Sequence, residues 1–335
     1  MLRGRVGHPA LEGPAVRLAL AAMLGLLLGA PPARAQTNAE RTLVLTIGAP
    51  GESLYGELFT SWAGLWKKAA EQGGMNVRVI GQDDAAGSAD DRARLMSVLA
   101  EESDRPAGEL WLVFIGHGTY DGKTAKFNLR GPDLAAPDLA AALKPCRRPL
   151  VIVQCASASG PFLPALSAPG RVIITSTRSG YEVNFARFGG CLARALADPA
   201  ADLDHDGQIS LLEAFLLASH QVDQFYREQG RLMTEHALLD DNGDGLGTPP
   251  EWFRGVRAAK TPEKGKSADG LRAHQMILAR GTTEAALSPE SRARRDALED
   301  QLSVLRTRKS QMAEDDYYAQ LEKIMVETAR LYQGK

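Results

Sequence analysis

The sequence is poor in cysteine, in net charge and in long apolar runs, and each shortage excludes a class of protein. Three cysteines in 335 residues rule out a disulfide scaffold. Thirty-nine basic against 41 acidic residues leave a net charge of −2, without the basic excess of a nucleic-acid binder. Beyond residue 35 no apolar run approaches the roughly 20 residues that span a bilayer. There is no H-E-x-x-H or Cys/His zinc spacing, no Walker or Rossmann glycine pattern and no internal repeat. What is present is ordinary for a globular protein. Hydrophobic residues are 44% and charged residues 24%, enough for a full-sized core and against disorder. The length suits about two domains, or one domain with appendages.

Residues 1–35 read as a secretory signal peptide. Arg3, Arg5 and Arg17 precede or open a 13-residue apolar run, Leu18 to Ala30, and Ala33 and Ala35 form an A-x-A pattern before Gln36. Its removal leaves 35 basic against 40 acidic residues, a net charge of −5. The mature chain is then expected to be exported, periplasmic or extracellular, and free of the membrane. Export to an oxidising compartment would permit one disulfide among Cys146, Cys155 and Cys191.

Apolar, β-branched strands alternate with helices from residue 43 to about 230. Strands are predicted at 43–47, 75–80, 110–115, 150–153 and 172–175. Helices are predicted at 55–72, 90–101, 138–143, 188–196 and 211–229. That order predicts an α/β fold, a mostly parallel sheet with helices on both faces. The α/β domain is set at 36–255. Residues 256–286 read as a linker, their first part small, polar and basic. Residues 287–335 read as a helical hairpin, with Leu298, Leu302 and Leu305 and then Tyr317, Leu321, Ile324, Thr328 and Leu331 at helical spacing. The nine basic and nine acidic residues there describe a solvated face, suited to packing or self-association.

Ligand sites in such sheets lie at the carboxyl ends of the strands. The third strand runs into Gly116-His117-Gly118 and the fourth into Gln154-Cys155-Ala156-Ser157-Ala158-Ser159-Gly160. If these strands are neighbours, His117 faces a thiol or hydroxyl and has the chemistry of its general base. A serine-hydrolase elbow is excluded, because position 155 is Cys where G-x-S-x-G needs Gly.

FIGHG after a buried strand, the small-residue turn ending in Ser-Gly, RVIITSTRSGYEVN (171–184) and FGGCLARAL (188–196) resemble the caspase/metacaspase/legumain group of cysteine peptidases, bacterial type, over roughly residues 42–255. The resemblance implies peptide-bond hydrolysis with His117 as base, a peptide or protein substrate, and an oxyanion hole from backbone N–H groups near Gly118 and 155–157. It implies a nucleophilic cysteine at the third residue before that Gly, and this chain has Ser157 there. Cys155 lies two residues earlier, about 6–7 Å away if the strand stays extended. Three readings stand: Cys155 as nucleophile on a longer turn, Ser157 as a serine-type nucleophile, or a degenerate site that binds rather than cuts. A serine gives up the accessible thiolate. Arg178 and Glu182, near the end of the fifth strand, are candidates for a specificity pocket.

Two acidic loops remain. In 202–213, Asp202, Asp204, Asp206, the Gln208 carbonyl, Ser210 and Glu213 fall at positions 1, 3, 5, 7, 9 and 12 of an EF-hand loop, with Gly207 at the sharp turn. These are the hard oxygens that Ca2+ takes. Bacterial proteins resembling this family often carry such a loop here, which implies a structural staple. In 240–251, Asp240, Asn242, Asp244, the Leu246 carbonyl and Glu251 fit the same pattern, but Gly247 replaces the usual aliphatic residue and two prolines break the exit. An Asx-rich surface turn is the alternative there.

Overall fold

The computed structural model describes residues 41–82, 90–261 and 268–333. The expected signal peptide lies outside them. In chain order the strands are β1 Thr42–Ile47, β2 Asn76–Ile80, β3 Leu110–Ile115, β4 Gly118–Tyr120, β5 Ala125–Phe127, β6 Leu134–Ala135, β7 Leu150–Gln154, β8 Arg171–Thr175, β9 Leu238–Asp240, β10 Phe253–Arg254 and β11 Arg257–Ala258. The helices are α1 Ser53–Gln72, α2 Asp91–Ser103, α3 Ala136–Ala142, α4 Phe162–Leu166, α5 Phe188–Ala195, α6 Leu211–Glu228, α7 Leu271–Gln275, α8 Thr282–Ala286, α9 Pro289–Thr307 and α10 Glu314–Tyr332.

The central sheet has the order β2-β1-β3-β7-β8-β9. Its first five strands are parallel and β9 pairs antiparallel with β8. The expected α/β class holds, and its reason is visible in the burial. Successive side chains of a strand point to opposite faces, and here both faces are covered. Leu43, Trp111, Val113, Val151, Val153, Val172 and Ile174 share one core with α1, α5 and α6. Val44, Leu112, Phe114, Ile152 and Ile173 share the other with α2, α3 and α4. Strands buried on both sides must be apolar throughout, which is why LVLTI, LWLVFI, LVIV and VIIT read without alternation.

The hairpin is present as α9 and α10, packed through Leu298, Leu305, Tyr317 and Ile324. Ser288 caps α9 by accepting the Ser291 N–H. No described helix is long and apolar enough to cross a membrane.

The linker expected over 256–286 differs. Its described residues carry β11, α7 and α8, and Ala273, Ile277 and Leu278 are buried. Composition hid this because backbone and charged groups dock the segment. Arg41 donates to the Ile277 and Leu278 carbonyls and pairs with Glu109. Met276 accepts the Leu211 N–H, and Ile277 bridges Ser210 as a short antiparallel pair. The small sheet β4-β5-β6 was also not foreseen. Its one sequence signal is Asp121-Gly122, a hairpin dipeptide, with Asp121 accepting the Lys123 and Thr124 N–H groups.

Candidate functional site

β3 and β7 are neighbours in register, Phe114 opposite Gln154. The turn after each strand therefore meets the other, the condition on which the pairing of His117 with this turn depended. Gly118 lies so close to the Ser157 carbonyl that a Cβ would collide with it. The Ser157 hydroxyl accepts the Gly118 N–H (3.3 Å) and donates to the Gly118 carbonyl (3.1 Å). Ala158 follows with φ 54°, a left-handed conformation that costs a non-glycine residue about 1 kcal/mol or more. Its N–H is held by the Glu182 carbonyl at 2.8 Å. Ser159 and Thr177 join hydroxyls at 3.2 Å, which ties this turn to the exit of β8.

His117 stands in an aromatic surround. Its ring centroid is 4.7 Å from Tyr55, 5.1 Å from Phe59 and 6.0 Å from Phe185, all edge-on. Nε2 donates to the Pro50 carbonyl at 3.2 Å. Among the described residues, no hydrogen bond joins His117 to Cys155 or to Ser157.

Cys155 goes the other way. It is 1% exposed and sits in the core with Trp62 and Phe188. A side chain at Gly189 would collide with its Cβ, so α5 reaches the end of β7 only because residue 189 is glycine. Burial pushes the thiol up to about 12. A thiolate is the nucleophilic form, and this environment suppresses it. Cys146 and Cys191 are buried and free as well.

Around the strand ends lies an exposed apolar rim. Tyr181 is 75% exposed and meets Tyr120 edge-on at 5.1 Å, with Val183 exposed beside it in sequence. Glu182, a candidate for specificity, is spent internally. It accepts the Arg178 N–H and contacts His236 Nδ1 at 2.5 Å. His236 carried no sequence signal.

In the first acidic loop Asp202, Asp204 and Asp206 place one carboxylate oxygen each within 4.8 Å of the others. Asp202 accepts the N–H of Asp206 and of Gly207 (both 3.1 Å), Asp204 that of Asp206, and Asp206 that of Gln208 (3.0 Å). Ser210 and Glu213 form a capping box at the start of α6. The buried Glu213 carboxylate also accepts the Leu203 N–H at 2.9 Å, which brings position 12 back to the loop's start. The Gln208 side chain accepts the Gly281 N–H. His274, from α7, was missed. It lies 3.4 Å from Asp204 Oδ2 and 3.3 Å from Ser210 Oγ. Asp202, Asp204 and Asp206 offer three hard carboxylate oxygens of the kind Ca2+ takes, while both Glu213 oxygens already accept hydrogen bonds from Leu203 and Ser210.

The second loop repeats the register. Asp240 accepts the Gly245 N–H (3.1 Å), Asn242 that of Asp244 (2.8 Å) and Asp244 that of Leu246 (2.8 Å). It does not close like the first. Glu251 is exposed and, among the described residues, accepts no hydrogen bond from its own loop. Thr248 turns instead to Asp269, donating at 2.5 Å. Asp269 accepts the Asp241 and Asn242 N–H groups, and Asp241 in return accepts those of Gly270 and Ala273. Burial first, and the neighbouring Asp241 second, push Asp269 up to about 8.

The fold and site therefore define an α/β protein with a histidine and a hydroxyl at adjacent strand ends. No protein-family model and no curated protein matches the chain. Among solved structures it is similar to caspase-1 from Spodoptera frugiperda (TM-score 0.37, 10% identity, 64% of this chain and 94% of that one). It is similar also to the Drosophila initiator caspase Dronc (0.38, 11%, 73% and 95%) and to Chaetomium thermophilum Raptor (0.36, 10%, 81% and 34%). Likenesses at these values carry no functional argument, and the fold class rests on the chain's own sheet.

Proposed function

We propose that the chain is an exported peptide- or protein-binding module on a peptidase-like α/β domain, with its cysteine out of catalytic use and its first acidic loop a Ca2+-held staple. The state of the two nucleophile candidates carries this reading. Cys155 is sealed in the core with its thiol protonated, and the Ser157 hydroxyl is clasped by the backbone of Gly118 rather than by His117. A general base without a bonded nucleophile is not poised for acyl transfer. What remains at the strand ends is a rigid aromatic surround and an exposed rim at Tyr181 and Val183, apolar groups of the kind that anchor peptides.

A peptide library screened for both capture and cleavage on the full chain tests this. The expected result is binding without hydrolysis, weakened about tenfold by Tyr181→Ala. Hydrolysis that Ser157→Ala abolishes would replace this reading with serine-type catalysis. Absence of any bound peptide would also remove it.

For the staple, Asp202, Asp204, Asp206, the Gln208 carbonyl, Ser210 and Glu213 are the holders. Bound Ca2+ supplies positive charge that offsets the clustered carboxylates and links the loop to α6. The supporting observation is the closure of the first loop by Glu213. The second loop lacks that closure and is assigned a structural role. Calorimetry with Ca2+ is expected to give one site, lost in Asp202→Ala and kept in Asp240→Ala.

A further inference from the structure

A cavity of about 650 Å3 opens at the amino ends of β7 and β8, where Leu150 and Arg171 form part of its wall. His117 lies beyond the opposite ends of the strands, about 16 Å away at five residues per strand. Its size is that of a small-molecule site. The lining carries five cationic side chains, Lys144, Arg147, Arg148, Arg171 and Arg272, and no carboxylate. The chain as a whole has more acid than base, so this sign is local.

The five are not equivalent. Arg148 is neutralised by the buried Glu102. Arg171 has no such partner among the described residues. Its Nη1 donates to the Leu166 carbonyl at 2.7 Å and its Nη2 to the Leu143 carbonyl at 3.0 Å. Those carbonyls fix the planar fork without cancelling its charge, and burial holds its pKa below the usual guanidinium range. A partly desolvated cation without a counter-charge is costly to keep. Lys144 and Arg147, in the loop between α3 and β7, are exposed and make no ion pair among the described residues. Arg272 is attracted to the buried Asp241, whose carboxylate also accepts the Gly270 and Ala273 N–H groups. Cationic groups from three separate segments thus converge on one opening. Guanidinium forks match phosphate oxygens in pairs, and a lysine adds a point charge.

We propose that this cavity binds a small polyanion bearing two or more phosphate-type groups, with Lys144, Arg147, Arg171 and Arg272 as its ligating side chains. The site is separate from the strand-end surface and does not depend on the function assigned there. A single carboxylate would satisfy Arg171 alone. Four converging cations call for a ligand with charge at both ends.

Calorimetry on the full chain in metal-free buffer tests it, with orthophosphate, pyrophosphate and tripolyphosphate as probes at constant ionic strength. Tripolyphosphate is expected to bind at least about tenfold more tightly than orthophosphate, because it adds charge-assisted bonds. The Lys144→Gln/Arg147→Gln double variant alters only exposed side chains, so its fold can be verified by circular dichroism. It should lose at least about tenfold in affinity, while Arg254→Gln/Arg308→Gln, elsewhere on the surface, loses nothing. No binding of any probe would overturn the proposal. Equal affinity in the first double variant, or equal loss in the second, would overturn it too. Capture by phosphoinositide vesicles that tripolyphosphate competes away assigns a lipid headgroup as the source. Binding of tripolyphosphate without vesicle capture assigns a soluble one.

Discussion

Cys155 and Ser157 stand two residues apart, and in a continuing strand they would share a face. The strand does not continue. β7 stops at Gln154, the chain turns through Ala158 at φ 54°, and the two side chains part. The thiol enters the core and the hydroxyl meets Gly118. Two predictions belong at this scale. With its thiol pushed up to about 12, Cys155 should react with iodoacetamide at neutral pH roughly 1,000-fold more slowly in the folded chain than after denaturation. Peptide mapping by mass spectrometry reads this, and rapid native labelling at Cys155 would contradict the burial. The second concerns Glu235. It accepts the Arg187 and Phe188 N–H groups at the start of α5, and burial pushes its carboxyl above the usual range. The folded state then holds this proton more tightly than the unfolded state. Its contribution to stability should be complete below the ordinary glutamate range and lost as pH rises through the raised value. Thermal melts across pH 4–9 should show that slope in the wild type and a flatter profile in Glu235→Gln.

At the scale of elements, the two acidic loops show how one short pattern acquires two fates. Each is built from the same turns, in which a side-chain oxygen accepts the N–H two residues on. The difference lies in the segment after each loop. The first opens directly into α6, so Glu213 can cap the helix and reach back to Leu203. The second meets two prolines and a short 3-10 turn, and Glu251 stays outside. The Asp241 and Asn242 N–H groups go to Asp269 instead, and the Asp241 carboxylate holds the start of α7. Glu213→Ala should therefore destabilise the metal-free chain by about 1–3 kcal/mol, through the lost cap and the buried N–H groups left unpaired. It should also abolish the Ca2+ stabilisation proposed for this loop. A melt with and without Ca2+ separates these, and an unchanged Ca2+ shift in the variant would count against the role of Glu213.

At the scale of the whole chain, the segment after residue 268 joins parts that sequence distance keeps apart. It pairs with the exit of the first loop at Ser210 and is capped by Asp241 of the second. It is also held at the amino ends of β1 and β3 by Arg41, and Arg280 pairs with Glu109. Glu284 then passes the connection to the hairpin through the buried Arg295 and the Tyr332 hydroxyl. Asp296 and Glu299 still neutralise Arg295 when Glu284 is removed. Glu284→Ala should thus cost about 2 kcal/mol rather than the larger loss of an isolated buried pair. Its signature would be faster proteolytic release of residues 287–335.

The class of the fold was legible in the sequence alone. Apolar strands alternating with amphipathic helices have one economical arrangement, a parallel sheet covered on both faces, and the hairpin comes from its helical spacing. The place to look for a site was legible too, because strand ends next to glycine are the open edge of such a sheet. Period and composition are local properties, and they carry that much. The fate of Cys155 came from tertiary contacts, because it depends on Gly189 letting α5 approach. So did the docking of 268–286, which relies on Arg41 and Asp241 from distant positions, and the cationic cavity, whose members span residues 144 to 272. Scarce cysteine and near-zero charge excluded the right classes. They could not reveal that the thiol is sealed away or that the charge is unevenly shared, because burial and proximity are set by contacts between segments that no local pattern encodes.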